Sequence, residues 1–381
     1  MNSQRYESFS RPNSRISRSF LYRIYLAYKR ATVASILFLS ILWIIIFIYN
    51  SPVFVPIPIE ILDIPIRIGF QKKFYCVHNI TSYNIDPKII LDIKNKFNNS
   101  LEQANSFILD ELEYFQKDID EQSSDLIGYV MTSILVSLNC ENTKFRWNSI
   151  QNKIRNPIRK AVAKAKEQFL VSGYGPEVFW SKHGLYDAST KILDYIKTRD
   201  IVDIGAFCGD SLLVLLNYTD KTVYSFEYSP ANIKLIETTI NNNFLDKKHI
   251  KIISKGISNK VEQIKTDYEQ SPKSQVKETS SGNIINMTTI DVESKKYNMN
   301  VGFMKADIEG MELYALEGAV ETIKRDRPII SFSIYHNFDG LFRIRHFIDR
   351  FPNYTFQYKL GAWNSVSFGE LIIFAYPKEL D

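Results

Sequence analysis

The C-terminal part of this 381-residue chain, residues 171–381, predicts an α/β domain on a doubly wound, largely parallel sheet. Three observations predict it. From residue 189 short apolar runs alternate with helical segments, the pattern of parallel strands joined by crossover helices. A turn with two glycines follows the first run. Acids then stand at the ends of several runs, where open α/β sheets bind ligands.

Taken in order, strands are expected at 201–204, 222–226, 250–253, 301–306, 329–334, 354–358 and 371–376. Helices are expected at 210–217, 230–241, 311–324 and 339–349. Little chain separates the last two strands, which suits an antiparallel return at one edge. The polar stretch 271–281 reads as a surface loop.

The first half is organised differently. Residues 1–30 carry seven basic residues against Glu7, while the whole chain has a formal charge of only +5. The remainder is therefore near neutral, which removes the main electrostatic reason to expect nucleic acid as a partner. Residues 31–59 hold no charged side chain, and their core, 31–50, is long enough to span a membrane as one helix. Trp43 and Tyr49 suit interfacial anchoring. The basic tail before the span places the N-terminus on the cytoplasmic side. Five Asn-x-Ser/Thr sequons, at Asn79, Asn98, Asn217, Asn286 and Asn353, fit a translocated domain. Residues 51–170 read as a stem followed by a mostly helical region, with apolar residues at helical spacing around 89–93 and 108–115. The stretch 153–166 reads as a basic, solvated helix. Cys76 and Cys140 could pair in an oxidising compartment, but three cysteines make no disulfide framework.

Four stretches carry chemistry. IVDIGAFCGDS (201–211) runs from a strand ending at Asp203 through Gly205 and Gly209 to a helix beginning near Asp210. Glycines there allow a tight turn and close approach of backbone to ligand. An acid inside the loop would repel phosphate and welcome an ammonium or sulfonium. YSFEYSP (224–230) ends a strand at Glu227, 24 residues after Asp203, where an acid can accept both hydroxyls of a ribose. FMKADIEGMELYALEGA (303–319) sets Lys305, Asp307 and Glu309 around the end of another strand. Such acids are costly to desolvate without a partner, and Lys305 is one candidate. Glu312 and Glu317 read as ordinary helix-surface residues. RPIISFSIYHN (327–337) delivers His336 to the same edge, with an ordinary pKa near 6.5 that suits a general base.

Together these stretches resemble the FkbM family of S-adenosylmethionine-dependent methyltransferases, over about residues 173–377. The most diagnostic part is KADIEGMELYALEGA; YGPEVFWSKHGL and FGELIIFAYP also look like the family. The resemblance implies the seven-stranded, Rossmann-like class I methyltransferase fold and O-methylation of a sugar or other hydroxyl. S-adenosyl-L-methionine is the implied cofactor. Asp203, Gly205 and Gly209, with Ala206 and Asp210 in the same stretch, would form its methionine-side loop, and Glu227 would take its ribose. His336 and Asp307 are the candidate bases, Glu309 a third. Lys305 could orient a carboxylate or stabilise charge. Two carboxylates are too few ligands to predict a metal.

The expected protein is thus a single-pass membrane methyltransferase with a small-molecule or glycan hydroxyl acceptor. The charge bias favours a translocated catalytic domain, and the cytosolic origin of the cofactor opposes it. The sequence leaves that side, the acceptor and the oligomeric state open. Two other classes fit parts of the pattern. A type II glycosyltransferase shares the tail, anchor and stem, but the acidic glycine loop suits no nucleotide-sugar diphosphate. A non-catalytic membrane protein on the same fold would have no use for intact acids at 203, 227, 307 and 309.

Overall fold

A computed structural model describes residues 87–139, 149–175, 177–266, 282–361 and 370–381. The apolar run 31–50, the stem, Cys76, Cys140 and the loop 271–281 lie outside the described residues. Among those described, no helix is long and apolar enough to cross a membrane.

The seven expected strands form one sheet. They are β1 (Asp200–Ile204), β2 (Val223–Phe226), β3 (Ile250–Ile253), β7 (Val301–Ala306), β8 (Ile329–Ser333), β9 (Tyr354–Leu360) and β10 (Leu371–Pro377). Their order is β3-β2-β1-β7-β8-β10-β9. The first five are parallel, and β10 runs antiparallel to both β8 and β9. This is the Rossmann-like class I methyltransferase sheet. The strand order reverses between β1 and β7, and the crevice at that switch point is where such sheets bind ligands.

The central strands are apolar because both faces are covered. On β1, Ile201 packs into one core beside Leu212, Ile236 and Phe303. Val202 and Ile204 face the other core with Met304 and Phe332. The helices Pro87–Lys96, Leu101–Phe115 and Glu121–Asn139 contribute Ile93, Ile108, Phe115 and Met131 to that second core, all fully buried. They also cover the edge strand β9, whose unpaired backbone would otherwise invite another chain. Tyr358 N donates to Ser123 Oγ at 2.9 Å, and Ile119 bridges to Phe356. Phe115→Ala should therefore cost about 3–5 kcal/mol of stability. Chemical denaturation checks this; a loss below about 1 kcal/mol would mean the helices do not share the sheet's core.

Two features depart from the expected elements. Three short strands, β4 (Gly256–Ile257), β5 (Glu262–Thr266) and β6 (Asn283–Thr288), build a second sheet in the order β4-β6-β5. Their alternation is too short and polar to stand out in sequence. The helix expected over 311–324 is two, Glu312–Glu317 and Val320–Asp326. A Cβ at Gly318 would lie 2.3 Å from Ser258 O, so the chain there packs directly on neighbouring backbone. Asp291 then caps the second helix, accepting from Glu321 N at 3.0 Å and Thr322 N at 2.8 Å. The basic helix Ser149–Gln168 buries Ile158 and Ala165 and exposes Lys160, Lys164 and Lys166.

Candidate active site

The glycine loop is shaped by its neighbours. Gly205 has φ +82°, and a Cβ there would fall 2.3 Å from Asp307 O. Gly209 has φ +80°, with a Cβ position 3.1 Å from Ile236 Cα. Only glycine suits both places. Gly205 N and Ala206 N donate to Phe226 O, tying the loop to the end of β2.

Asp203 lies beneath this loop rather than in the cleft. It is fully buried, with Lys305 Nζ 3.1 Å from Oδ1. Lys305 Nζ also donates to Gly205 O at 2.8 Å. Burial alone would lower the Lys305 ammonium; the charges of Asp203, Asp307 and Asp210 outweigh it and raise the pKa. The lysine therefore stays charged and pins the loop to the strand ends. The cleft itself, open to solvent, is lined by Gly205, Asp210, Glu227, Lys305, Asp307 and Glu309, among others.

Asp210, at the start of the helix that follows Gly209, also lines the cleft. Burial pushes its carboxyl up to about 6, against the opposing pull of Lys305. It is neutral below that pH and anionic above it. Glu227 is buried at the end of β2, its two oxygens accepting from Ser229 N at 2.8 Å and Phe207 N at 3.1 Å. Burial raises its pKa, and these backbone donors oppose the rise. Together with the Asn232 side chain and the Tyr228 backbone they fix the carboxylate's orientation on the cleft.

At the end of β7 the chain turns through Glu309 at φ +57° and Gly310 at φ +105°. Left-handed backbone at a glutamate is uncommon and makes the turn sharp. It sets Asp307, with its side chain 26% exposed, and Glu309, at 41%, on the cleft. His336 Nε2 lies 3.3 Å from Asp307 Oδ1 and 3.7 Å from Glu309 Oε2. His336 Nδ1 meets Glu312 Oε1 at 2.8 Å.

Two expectations need correction here. Glu312 is not a helix-surface residue. It is 0% exposed and accepts from Ile308 N at 2.8 Å besides its contact with His336. It was visible as the third acid of the 305–319 block, but helical spacing alone cannot tell a buried face from a wet one. His336 is not a neutral base with an ordinary pKa. Burial, the largest influence, pulls the ring down, but Glu312, Asp307 and Glu309 outweigh it and push it up to about 9. Without another cation, the ring holds its proton at neutral pH.

Sequence reading also passed over His183, Ser211 and Tyr335, which line the same cleft. His183 Nε2 sits 3.1 Å from Ser211 Oγ. Burial and then the charge of Lys305 hold its pKa well below the usual histidine range, so it is neutral. Tyr335 donates to Glu370 Oε1 at 2.9 Å. His183 lies within YGPEVFWSKHGL, which carried the signal without naming the residue. Cys208 is buried and pushed up to about 12, chiefly by that burial, so it is an inert thiol.

Residues 203–358 match the family model of the methyltransferase FkbM domain. The chain carries an FkbM-family methyltransferase domain. Similar solved structures include methyltransferase FkbM from Methylobacillus flagellatus KT, at 16% identity over 67% of this chain and 70% of that one, TM-score 0.38. Others are an O-methyltransferase from Bacillus cereus in complex with SAH, at 13% identity over 61% and 98%, TM-score 0.33, and an rRNA methylase from Streptococcus thermophilus, at 10% over 52% and 95%, TM-score 0.33. At such identities and TM-scores they carry no argument about chemistry. No curated protein sequence matches the chain significantly.

The FkbM domain is of the S-adenosylmethionine-dependent methyltransferase class, which stands against the glycosyltransferase reading. The cleft fits that cofactor. Gly205 lines it with backbone alone, the Glu227 carboxylate stands at the end of β2 where a ribose would lie, and Asp210 offers an anion to a cationic group. Because Asp210 ionises near pH 6, affinity for S-adenosylmethionine should rise about tenfold between pH 5 and 7. Asp210→Asn should remove most of that dependence. Calorimetry at the two pH values checks it, and an unchanged dependence in the variant would exclude Asp210 as the cation's partner.

Proposed function

We propose that the FkbM domain methylates a hydroxyl of a sugar or other small acceptor while anchored to a membrane through residues 31–50. The hydroxyl reading is carried by one observation: Asp307 and Glu309 line the same cleft as Gly205 and Glu227. A proton acceptor thereby stands beside the cofactor site. S-adenosylmethionine supplies an already activated methyl group, so the protein's work is positioning and proton removal. Asp307 takes the hydroxyl proton on a carboxylate oxygen, and His336 holds that carboxylate from behind. In the transfer the sulfonium S–CH3 bond and the acceptor O–H bond would break as the O–CH3 bond forms, leaving the neutral thioether S-adenosylhomocysteine as the departing group and the proton on Asp307.

The anchor reading is supported by the uncharged run 31–59 behind a basic tail. The N-terminus is then cytoplasmic. If the domain is translocated, its sequons become accessible; Asn98, Asn217, Asn286 and Asn353 are all exposed.

The test uses the full chain in detergent with isotopically labelled cofactor and a panel of sugars, polyols, carboxylic acids and RNA. Label that survives mild alkali on a hydroxyl compound supports an ether product. Label on carboxylates alone, or on RNA, would overturn the hydroxyl reading. Release of the intact chain from membranes by carbonate at high pH would overturn the anchor.

A further inference from the structure

We propose that His336, Asp307 and Glu309 hold a divalent transition-metal cation at the C-terminal end of β7 and β8, with Glu312 orienting the histidine. The inference deepens the hydroxyl reading and rests on it for the cation's role. It begins from two buried polar atoms without hydrogen-bond partners, His336 Nε2 and Glu312 Oε2. His336 is only 8% exposed and Glu312 wholly buried. Nε2 lies near two carboxylates, yet neither contact has hydrogen-bond geometry. Its distance of 3.3 Å to Asp307 is that of neighbouring ligands around a common centre, and Glu309, at 3.7 Å, lies a few tenths of an ångström beyond. Bonds of about 2.1 Å from such a centre to nitrogen and oxygen separate adjacent ligand atoms by roughly 3.0–3.4 Å.

The other side of the ring has the matching arrangement. Glu312 Oε1 accepts at Nδ1, 2.8 Å away, and is itself fixed by Ile308 N. A carboxylate on the far nitrogen of a ligating histidine sets the tautomer and aims the free nitrogen at the metal. Asp307, Glu312 and His336 also place one possible ligand atom each within 4.8 Å of one another. Three carboxylates around one imidazole make a strongly negative pocket, which a divalent cation answers better than a single proton.

One imidazole nitrogen and two carboxylates suit Mn²⁺, Fe²⁺ or Zn²⁺ better than an all-oxygen ion such as Ca²⁺. The site borders the cofactor cleft through Asp307 and Glu309. A cation there binds the acceptor's hydroxyl oxygen and makes its proton easier to lose, a recognised route to a stronger nucleophile. The proton still passes to a carboxylate, so the step remains balanced.

The experiment is titration of Mn²⁺ into the full chain in detergent, without S-adenosylmethionine, read by electron paramagnetic resonance and calorimetry. One Mn²⁺ per chain is expected, with nitrogen coupling from a bound imidazole. His336→Gln should abolish that coupling, Asp307→Asn should weaken binding, and Glu312→Gln should weaken it about 10–100-fold. Glu317→Gln, on the same helix, should change nothing. Near-ultraviolet circular dichroism reports whether each variant folds, and Asp307→Asn, at a partly exposed site, keeps the test available if His336→Gln does not. No binding at millimolar Mn²⁺ and millimolar Zn²⁺, or binding without nitrogen coupling, would overturn the site. Full ether formation in a chelator would overturn the cation's role and leave the hydroxyl reading standing. Mn²⁺ bound at His336 with no ether product would do the reverse.

Discussion

Asp307→Asn should lower the rate of methyl transfer by about 10²–10⁴-fold while leaving affinity for S-adenosylmethionine within about threefold of the parent. The rate effect is the usual contribution of a positioned proton acceptor. The asymmetry follows from where the groups sit. Asp307 is on the cleft but next to His336 and Glu309, whereas Glu227 and Asp210 lie on the side of the glycine loop. Asparagine keeps the shape and one acceptor oxygen but binds no proton at neutral pH. Single-turnover kinetics with saturating cofactor, beside calorimetry, separates the two quantities. A rate within tenfold of the parent would remove Asp307 from proton transfer and shift attention to Glu309.

Lys305→Met should destabilise the domain by about 3–5 kcal/mol, because it leaves the Asp203 carboxylate buried and unpaired. Lys305 is 4% exposed and Asp203 0%, so water cannot replace the lost partner. The change also strips Gly205 O of its donor and should loosen the loop over the cofactor site. Removing both charges, with Asp203→Asn and Lys305→Met together, should recover part of the stability, since desolvation of a lone charge is the main cost. Denaturant unfolding of the two single variants and the double variant gives the coupling directly. A Lys305→Met loss below about 1 kcal/mol, or no recovery in the double variant, would show that the pair is not held as described.

Legibility differed along the site for a physical reason. Asp203, Gly205, Gly209 and Glu227 could be placed because strand, turn and helix are local events with short-range signatures. Glycine at φ near +80° and a strand-terminal acid follow from a few neighbouring residues. Glu312 could not be placed so, since its burial depends on His336, which arrives just beyond the end of β8. The protonation of His336 was equally hidden. Its ordinary pKa belongs to a solvated ring, whereas the ring in the fold faces three carboxylates of the distant stretch 307–312.

By itself the sequence determined the order of strands and helices, the glycine loop, the acids at the strand ends and the resemblance that led to the cofactor. These follow from hydrophobic periodicity and from conformations that few residue types tolerate. Only the tertiary structure decided that the helices Pro87–Lys96, Leu101–Phe115 and Glu121–Asn139 close the edge of the sheet, that Lys305 answers Asp203, and that Asp210 faces the cleft. It also decided that His336 sits between Glu312 and the pair Asp307 and Glu309. Each is a contact between distant segments, and its energy depends on burial and on nearby charge, neither of which a linear sequence contains.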